Sequence, residues 1–308
     1  MPSQAKRGDL QKAAAKDSFM EDGDSRDIVI LVMGPSGAGK STFVNAVLGE
    51  ERMRVGHNLT SCTVQLQYAF IDSVHYQGLE GHRMVIVDTP GFDDTYEGDA
   101  TILRRIAEWL ENTYHKKKVV GGVIYLHDIS QDRFSGTARR SLEVFNHLCG
   151  DAALSKVILG TTKWSRISAD DGKRREEELI RVHWVTMIGK GSAVHRFQGD
   201  TESALGFISI VAHRTAMDNV LEIQKELALD RKIIPETKAG KELRYTLQEV
   251  LEMQRQAVAL EAASAEGKDP EAKAKLDEMR EQIGLIAKNV KDLKIPLARR
   301  ILRMLGLI

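Results

Sequence analysis

The sequence predicts an α/β fold: a mostly parallel sheet with helices on both faces and one antiparallel edge strand, followed by an all-helical region. Three observations carry this. Short apolar, β-branched runs alternate with helical stretches between about residues 27 and 213. One of those runs alternates apolar and polar residues where the others do not. Beyond about residue 213 strand signals give way to Glu, Lys, Leu, Ala and Arg.

The apolar runs are "IVILVM" (28–33), "VQLQYAFI" (64–71), "RMVIVD" (83–88), "VVGGVIYLH" (119–127) and "KVILGTT" (156–162). Helical stretches are expected near 40–48, 101–113, 137–148, 173–186 and 201–212. Continuous apolar runs mark strands buried on both faces, and strand followed by helix, repeated, is the pattern of parallel crossovers. "VQLQYAFI" is half polar, and only the turn-like "SVHYQGLEGH" separates it from "RMVIVD". Those two are expected to form a hairpin that places one antiparallel strand at the sheet edge.

In the helical region Leu276, Met279, Ile283, Ile286, Val290 and Leu293 are spaced 3, 4, 3, 4, 3, a heptad seam on one helix. A weaker seam includes Leu243, Leu247 and Val250, and "AASAEGKDPEAK" separates the two, with Gly267 and Pro270 as breakers. Two long helices folded into a hairpin are expected, either packed on the first domain or paired with a second chain as a coiled coil. The domain reading is an N-terminal segment of residues 1–26, polar, Ala-rich and expected to be poorly ordered, an α/β domain of 27–213, and a helical hairpin of 214–308.

Bulk composition narrows the function. Lys+Arg and Asp+Glu both number 44, and a net charge of zero argues against a dedicated nucleic-acid binder. Two cysteines, Cys62 and Cys149, make neither a disulfide framework nor a metal cluster. The N-terminal stretch lacks the apolar core of a signal peptide, and no apolar stretch approaches the ~20 residues of a membrane span. A cytoplasmic protein in a reducing compartment is expected.

"GPSGAGKST" (34–42) follows the first apolar run and precedes an amphipathic helix. The Gly-x-x-x-x-Gly-Lys-Ser spacing is a phosphate-binding loop when it joins a strand to a helix. Glycines let the backbone turn its N–H groups inward on phosphate oxygens, and the helix N-terminus adds partial positive charge. Gly34, Pro35, Ser36, Gly37, Ala38, Gly39, Lys40, Ser41 and Thr42 are the expected nucleotide cradle. Lys40 is expected to bridge the terminal phosphates and Ser41 to place its hydroxyl on Mg²⁺.

"IVDTPG" (86–91) is the second motif. Asp88, at the end of a buried strand, can hold Mg²⁺ through water, and Gly91 offers a backbone N–H to a γ-phosphate. "NLTSCTV" lies between the two motifs, and a threonine there, Thr60 or Thr63, can close over the Mg²⁺. The residues do not choose between the two threonines, and both also suit a strand edge.

This order of motifs, with an antiparallel edge strand between, resembles that of the GTPases, a P-loop NTPase three-layer α/β/α G domain. The resemblance implies a guanine-reading [NT]-K-x-D motif at the end of a later strand. "VILGTTKWS" (157–165) supplies Thr162 and Lys163, but Ser165 stands where the aspartate belongs, and Trp164 is bulky enough to stack on a base. "HDISQDRFSGTARRSLEVFNHLCG" (127–150) is similar to the box of the AIG1/GIMAP branch, Gln-x-x-Arg-[FY]-[ST], with Gln131, Arg133, Phe134 and Ser135 in its places and Asp132 alone between the Gln and the Arg. "GSAVHRFQGD" (191–200) resembles the segment of septins and AIG1-type proteins in which a Gly turn and an arginine, here Arg196, lie beside the base. The resemblance, in character closest to fungal AIG1-type G-domain proteins, covers roughly residues 27–213. It implies GTP/GDP and Mg²⁺ as ligands.

No Gln follows Gly91; Phe92, Asp93 and Asp94 do. A lone monomer is therefore expected to hydrolyse GTP slowly, since nothing there orients the attacking water. The resemblance implies a remedy: G domains dimerise across the nucleotide face and Arg133 reaches the partner's site as an arginine finger. A surface ion pair with Asp132 or Asp128 is the competing role for Arg133. The functional expectation is a GTP-binding, slowly hydrolysing switch or assembly module, a homodimer or higher oligomer whose helices contact a protein partner. A structural nucleotide-binding scaffold and a P-loop ATPase are the alternatives, which the missing Gln and Ser165 keep open.

Nine histidines show no zinc-ligand spacing, and His127, at a strand end, is expected to be a satisfied core residue. In "KIPLARRILRMLGLI" (294–308), Leu297, Ile301, Met304, Leu305 and Ile308 share one helical face and Arg299, Arg300 and Arg303 another. That pattern suits docking on the chain's own domain and also a membrane surface.

Overall fold

A computed structural model describes residues 27–53, 66–71, 82–92, 98–215, 221–264, 270–296 and 299. The N-terminal segment 1–26, both candidate threonines, Asp93, Asp94, Gly267 and the apolar face of the C-terminal tail lie outside the described residues.

Six strands form one sheet, in the order β2-β3-β1-β4-β5-β6. They are β1 (Asp27–Met33), β2 (Gln67–Ile71), β3 (Arg83–Asp88), β4 (Val119–Asp128), β5 (Val157–Thr162) and β6 (Ala193–Arg196). β1 pairs in parallel with β3 and β4, β4 with β5 and β5 with β6, whereas β2 runs antiparallel to β3 at the edge. The expected edge strand and its partner are both present, with β2 described from Gln67. β6 is the strand that the apolar runs did not mark: it has four residues, none buried, and lies at the other edge.

The helices are α1 (Lys40–Leu48), α2 (Asp99–His115), α3 (Gly136–Cys149), α4 (Ala169–Glu178), α5 (Val185–Gly189), α6 (Thr201–Arg214), α7 (Lys238–Ser264) and α8 (Pro270–Asp292). The stretch expected as one helix over 173–186 is broken. α4 starts earlier because Ser168 caps it, accepting from Asp171 N at 3.1 Å. It ends in a π-turn over Leu179–His183, where Trp184 N donates to Leu179 O at 2.7 Å and the Trp184 ring is fully buried.

Side-chain alternation along β1 builds two cores, one on each face. Ile28, Ile30 and Val32 join Phe43, Val44, Phe207, Ile208 and Val211 from α1 and α6. Val29, Leu31 and Met33 join Ile102, Ile106, Leu142 and Phe145 from α2 and α3. α6 lies close to the sheet because Gly122 and Gly160 leave room: a Cβ on Gly160 would meet the Phe207 ring at 2.8 Å.

α7 and α8 pack on each other, and both contact α2, with α7 also on α3. Ala239, Leu243, Leu247, Val290 and Leu293 belong to the same apolar cluster as α2 and α3. The seam of α8 is most buried toward its C-terminal end, at Val290 and Leu293. Among the described residues no helix is long and apolar enough to cross a membrane.

Candidate functional site: the carboxyl ends of the parallel strands

In open α/β sheets ligands bind outside the carboxyl ends of the strands. Here those ends carry the loop after β1, the segment 88–92 after β3, the loop 128–135 after β4 and the turn 162–165 after β5.

The loop after β1 is a backbone cradle. Gly34, Gly37 and Gly39 have φ of 139°, 77° and 89°, the left-handed region that side chains disfavour. Gly34 also abuts β4, where a Cβ would meet Leu126 O at 2.3 Å. Phe43 fixes the helix behind the loop, with edge-on contacts to Phe197 at 5.2 Å and Phe207 at 5.0 Å. Lys40 is buried and folds back along the loop, its Nζ donating to Gly34 O at 3.1 Å and Pro35 O at 2.9 Å. Ser36 Oγ is buried and has no hydrogen-bond partner among the described residues. A phosphate oxygen would satisfy it.

The second motif lies against the first. Ser41 Oγ donates to Asp88 Oδ2 at 2.6 Å, and Asp88 is fully buried. Thr89 ties the segment to β1 through Val32 O, at 2.8 Å from its hydroxyl. Ser36 N donates to Phe92 O at 3.2 Å. Gly91 is so close that a Cβ there would meet Ser36 N at 2.5 Å and Lys40 Nζ at 2.8 Å. The expected phosphate, Mg²⁺ and γ-phosphate positions are thus adjacent. A hydroxyl beside a carboxylate is the hard-oxygen donor set Mg²⁺ takes, so the residues present fit that ion.

The third motif supports the cradle from the side. Thr162 Oγ1 lies 2.8 Å from Ala38 O and 3.2 Å from His127 O, so its hydroxyl is engaged with the loop's backbone. Lys163, at φ 60°, donates to Asp128 Oδ2 at 2.7 Å. Trp164 Nε1 donates to Thr161 Oγ1 at 3.1 Å, and the Arg196 guanidinium stacks on the Trp164 ring at 4.3 Å. Arg196 is held in turn by the buried Glu176, Nε to Oε2 at 2.8 Å, and Glu176 also accepts from Thr161 Oγ1 at 3.0 Å. Trp164 and Arg196 form one platform beside Lys163, with the exposed Ser165 next to it.

Two residues of this site went unmarked in the sequence. Asp128 gathers Lys163, Ser130 N at 2.9 Å, Ser130 Oγ at 2.6 Å and Gln131 Nε2 at 3.2 Å. Burial raises its carboxyl, but the hydrogen bonds from Lys163, Ser130 and Gln131 outweigh that and hold it below the usual range. Glu176 is the other. Position at the end of the apolar run "VVGGVIYLH" is the signal that points to Asp128; for Glu176 the sequence offers none. His127 is not the satisfied core histidine expected: its ring is buried, yet Nδ1 has no hydrogen-bond partner among the described residues.

Arg133 is exposed on the loop after β4 and makes no ion pair or hydrogen bond among the described residues. Neither expected acidic neighbour holds it. Asp132 pairs with Arg175 at 2.8 Å, and Asp128 pairs with Lys163.

Comparison with known proteins agrees with this architecture. Residues 29–149 match the family described as 50S ribosome-binding GTPase. Two structures of Toc33 from Arabidopsis thaliana, one a dimerization-deficient mutant and one in complex with GDP and Mg²⁺, each share 15% identity over 68% of this chain and 93% of theirs, with a TM-score of 0.50. A third, described by the statement that dimerization is important for the GTPase activity of chloroplast translocon components atToc33 and psToc159, covers 68% and 94%, with 15% identity and a TM-score of 0.51. At that identity the likeness is one of fold. No curated protein matches the chain. Motif geometry, sheet order and the match over 29–149 together show that this chain has the P-loop GTPase fold.

Proposed function

We propose that the domain binds GTP and GDP with Mg²⁺, hydrolyses GTP slowly by itself, and does so faster when two G domains meet across the nucleotide face. The observation that carries the nucleotide reading is the convergence of Ser41, Asp88, Lys40 and Gly91 at the carboxyl ends of β1 and β3. Ser41 and Asp88 would hold Mg²⁺, which would supply charge neutralisation at the phosphates. Lys40 and the loop's N–H groups orient the phosphates, and Gly91 N–H meets the terminal one. Phe92, not a Gln, follows Gly91, which supports slow hydrolysis by the domain alone.

Exposed and without an ion pair among the described residues, Arg133 supports a role in trans, where an arginine finger is worth ~10³–10⁵ in rate. The AIG1/GIMAP resemblance supports the same reading, as does the importance of dimerization for the GTPase activity of atToc33 and psToc159, which is stated of those proteins. The helical pair α7–α8 is the candidate relay to a partner. It touches the start of α2, since Gly98 lies against Asn289 so closely that a Cβ would meet that amide at 2.0 Å. A cytoplasmic setting, with or without membrane contact by the C-terminal tail, fits the composition.

Hydrolysis measured over a hundredfold range of protein concentration tests the dimer. Specific activity is expected to rise with concentration, and Arg133→Ala to hold it at the dilute value without altering nucleotide affinity. Flat specific activity in both proteins would remove Arg133 from the reaction. Ser165 favours a second reading, nucleotide binding without guanine selectivity. Displacement of a fluorescent GDP analogue by GTP and ATP decides it, with Lys40→Ala as control: equal displacement by ATP would replace the GTPase reading with an ATPase or scaffold.

A further inference from the structure

A cavity of about 290 Å³ opens beside the tip of β4, lined in part by His127, Arg133, Phe134, Arg139, Arg175 and His183. Successive residues of a strand face opposite ways. Asp128 turns to Lys163 and the nucleotide motifs, while His127 turns to this cavity. The two sites therefore sit back to back across one strand.

The cavity carries an excess of guanidinium. Arg133 and Arg139 form no ion pair among the described residues. Arg175 is fixed in place, donating to Ser130 O at 2.8 Å, Ile129 O at 3.3 Å and Asp132 Oδ1 at 2.8 Å. Two carboxylates share the wall, Asp132 and Glu178, and Asp132 is already engaged by Arg175. The inner part holds His127, only 6% exposed, with Nδ1 lacking a partner among the described residues. Burial keeps this imidazole neutral, pushed down to about 4, so Nδ1 can present an N–H to an anion. Phe134, stacked on His183 at 4.0 Å, supplies an apolar wall.

We propose that this cavity is a second ligand site, for a small phosphorylated molecule, with the phosphoryl group met by Arg139, Arg133 and the His127 ring. Two guanidinium groups without an ion pair among the described residues and an imidazole nitrogen around one small space, with the Arg175 charge behind them, match a dianion with several acceptor oxygens better than a carboxylate, which one arginine satisfies. The volume suits a ligand at the small end of the usual range. None of the cradle's residues lines the cavity, and Arg133 is the one residue it shares with the proposed hydrolysis.

The test uses full-length protein carrying Lys40→Ala, which removes the lysine from the phosphate loop, labelled with ¹³C-histidine. Inorganic phosphate and then pyrophosphate are titrated in, with acetate at matched ionic strength as control. Ring signals of His127 and His183 are assigned from His127→Gln and His183→Gln. Both signals are expected to shift saturably with phosphate or pyrophosphate and not with acetate. Arg139→Gln, a change at an exposed helix position, should weaken the response by about tenfold or more, with Arg139→Lys intermediate. No saturable shift, an equal response to acetate, or an unchanged affinity in Arg139→Gln would overturn the proposal. Because no guanine nucleotide is present, the outcome does not depend on whether the chain reads GTP.

Discussion

Thr162 joins the cradle to the rest of the sheet through one hydroxyl, and that makes it a sharper probe than its motif position suggests. Its Oγ1 reaches Ala38 O in the phosphate loop and His127 O on β4. Thr162→Val keeps the shape and removes the hydrogen bond, which should cost ~1–3 kcal/mol. We expect a fluorescent GDP analogue to bind about tenfold more weakly, while the fold persists in circular dichroism. An unchanged affinity would mean that Phe92 and Gly91 alone hold the loop. His127 supports a second expectation. Burial above all, with His183 adding to it and Asp128 opposing, lowers its pKa from 6.5 to about 4. Between those values the unfolded chain takes up a proton that the native chain refuses, so stability falls as pH drops through that window. The full span is worth about 3 kcal/mol. Denaturant melts from pH 7 to pH 4 should therefore decline less steeply in His127→Gln, and identical slopes would show that the imidazole titrates normally.

The loop after β4 and the helix it feeds are the element on which the dimer reading turns. Ser135 caps α3, accepting from Ala138 N at 3.1 Å, and so fixes the chain just beyond Arg133 and Phe134. Ser135→Ala should lose about 1 kcal/mol of stability and reduce concentration-dependent hydrolysis less than Arg133→Ala does. A larger loss in Ser135→Ala would argue that the loop's shape, not the guanidinium, matters. Elements of this kind also show what a sequence discloses. The phosphate loop, Asp88 and Gly91 were legible because their spacing is itself a backbone geometry, four residues between glycines and a strand end. β1, β3, β4 and β5 were legible because they are buried on both faces and so carry unbroken apolar runs. β6 was not, since an edge strand of four half-exposed residues writes no run. The break at Leu179–His183 was hidden too, because it follows from burying Trp184 and not from any Gly or Pro. Side-chain pairs were least legible of all. Lys163 meets Asp128 across 35 positions and Arg196 meets Glu176 across 20, partnerships set by strand register and helix placement.

At the scale of the whole molecule the question is whether the α/β domain and the C-terminal helices melt separately. Their sequence periods differ, and the change near residue 213 reads as a boundary. Packing argues for one unit. Leu243, Leu247, Val290 and Leu293 lie in the cluster that also holds Ile102, Ile106, Leu142 and Phe145. Hydrogen bonds add to this: Gln224 Nε2 donates across the boundary to Leu110 O at 3.0 Å and to Thr113 Oγ1 at 3.4 Å. Leu293 is 1% exposed, so Leu293→Ala removes buried methyl groups and leaves a cavity, at about 2–5 kcal/mol. For a shared core that loss falls on the whole chain. Calorimetry should show one transition in both proteins, lowered by roughly ten degrees in the variant. Fluorescence from the tryptophans, all of which precede residue 213, should follow the same curve as circular dichroism from the helices. Two transitions in Leu293→Ala, with the tryptophan signal unmoved, would show that the helices dock on the domain as a separable piece. A helical pair sharing the domain's core transmits a shift at Gly98 to its far end, whereas a separable pair transmits it only by undocking. The melting curve therefore also decides how nucleotide state would reach a partner.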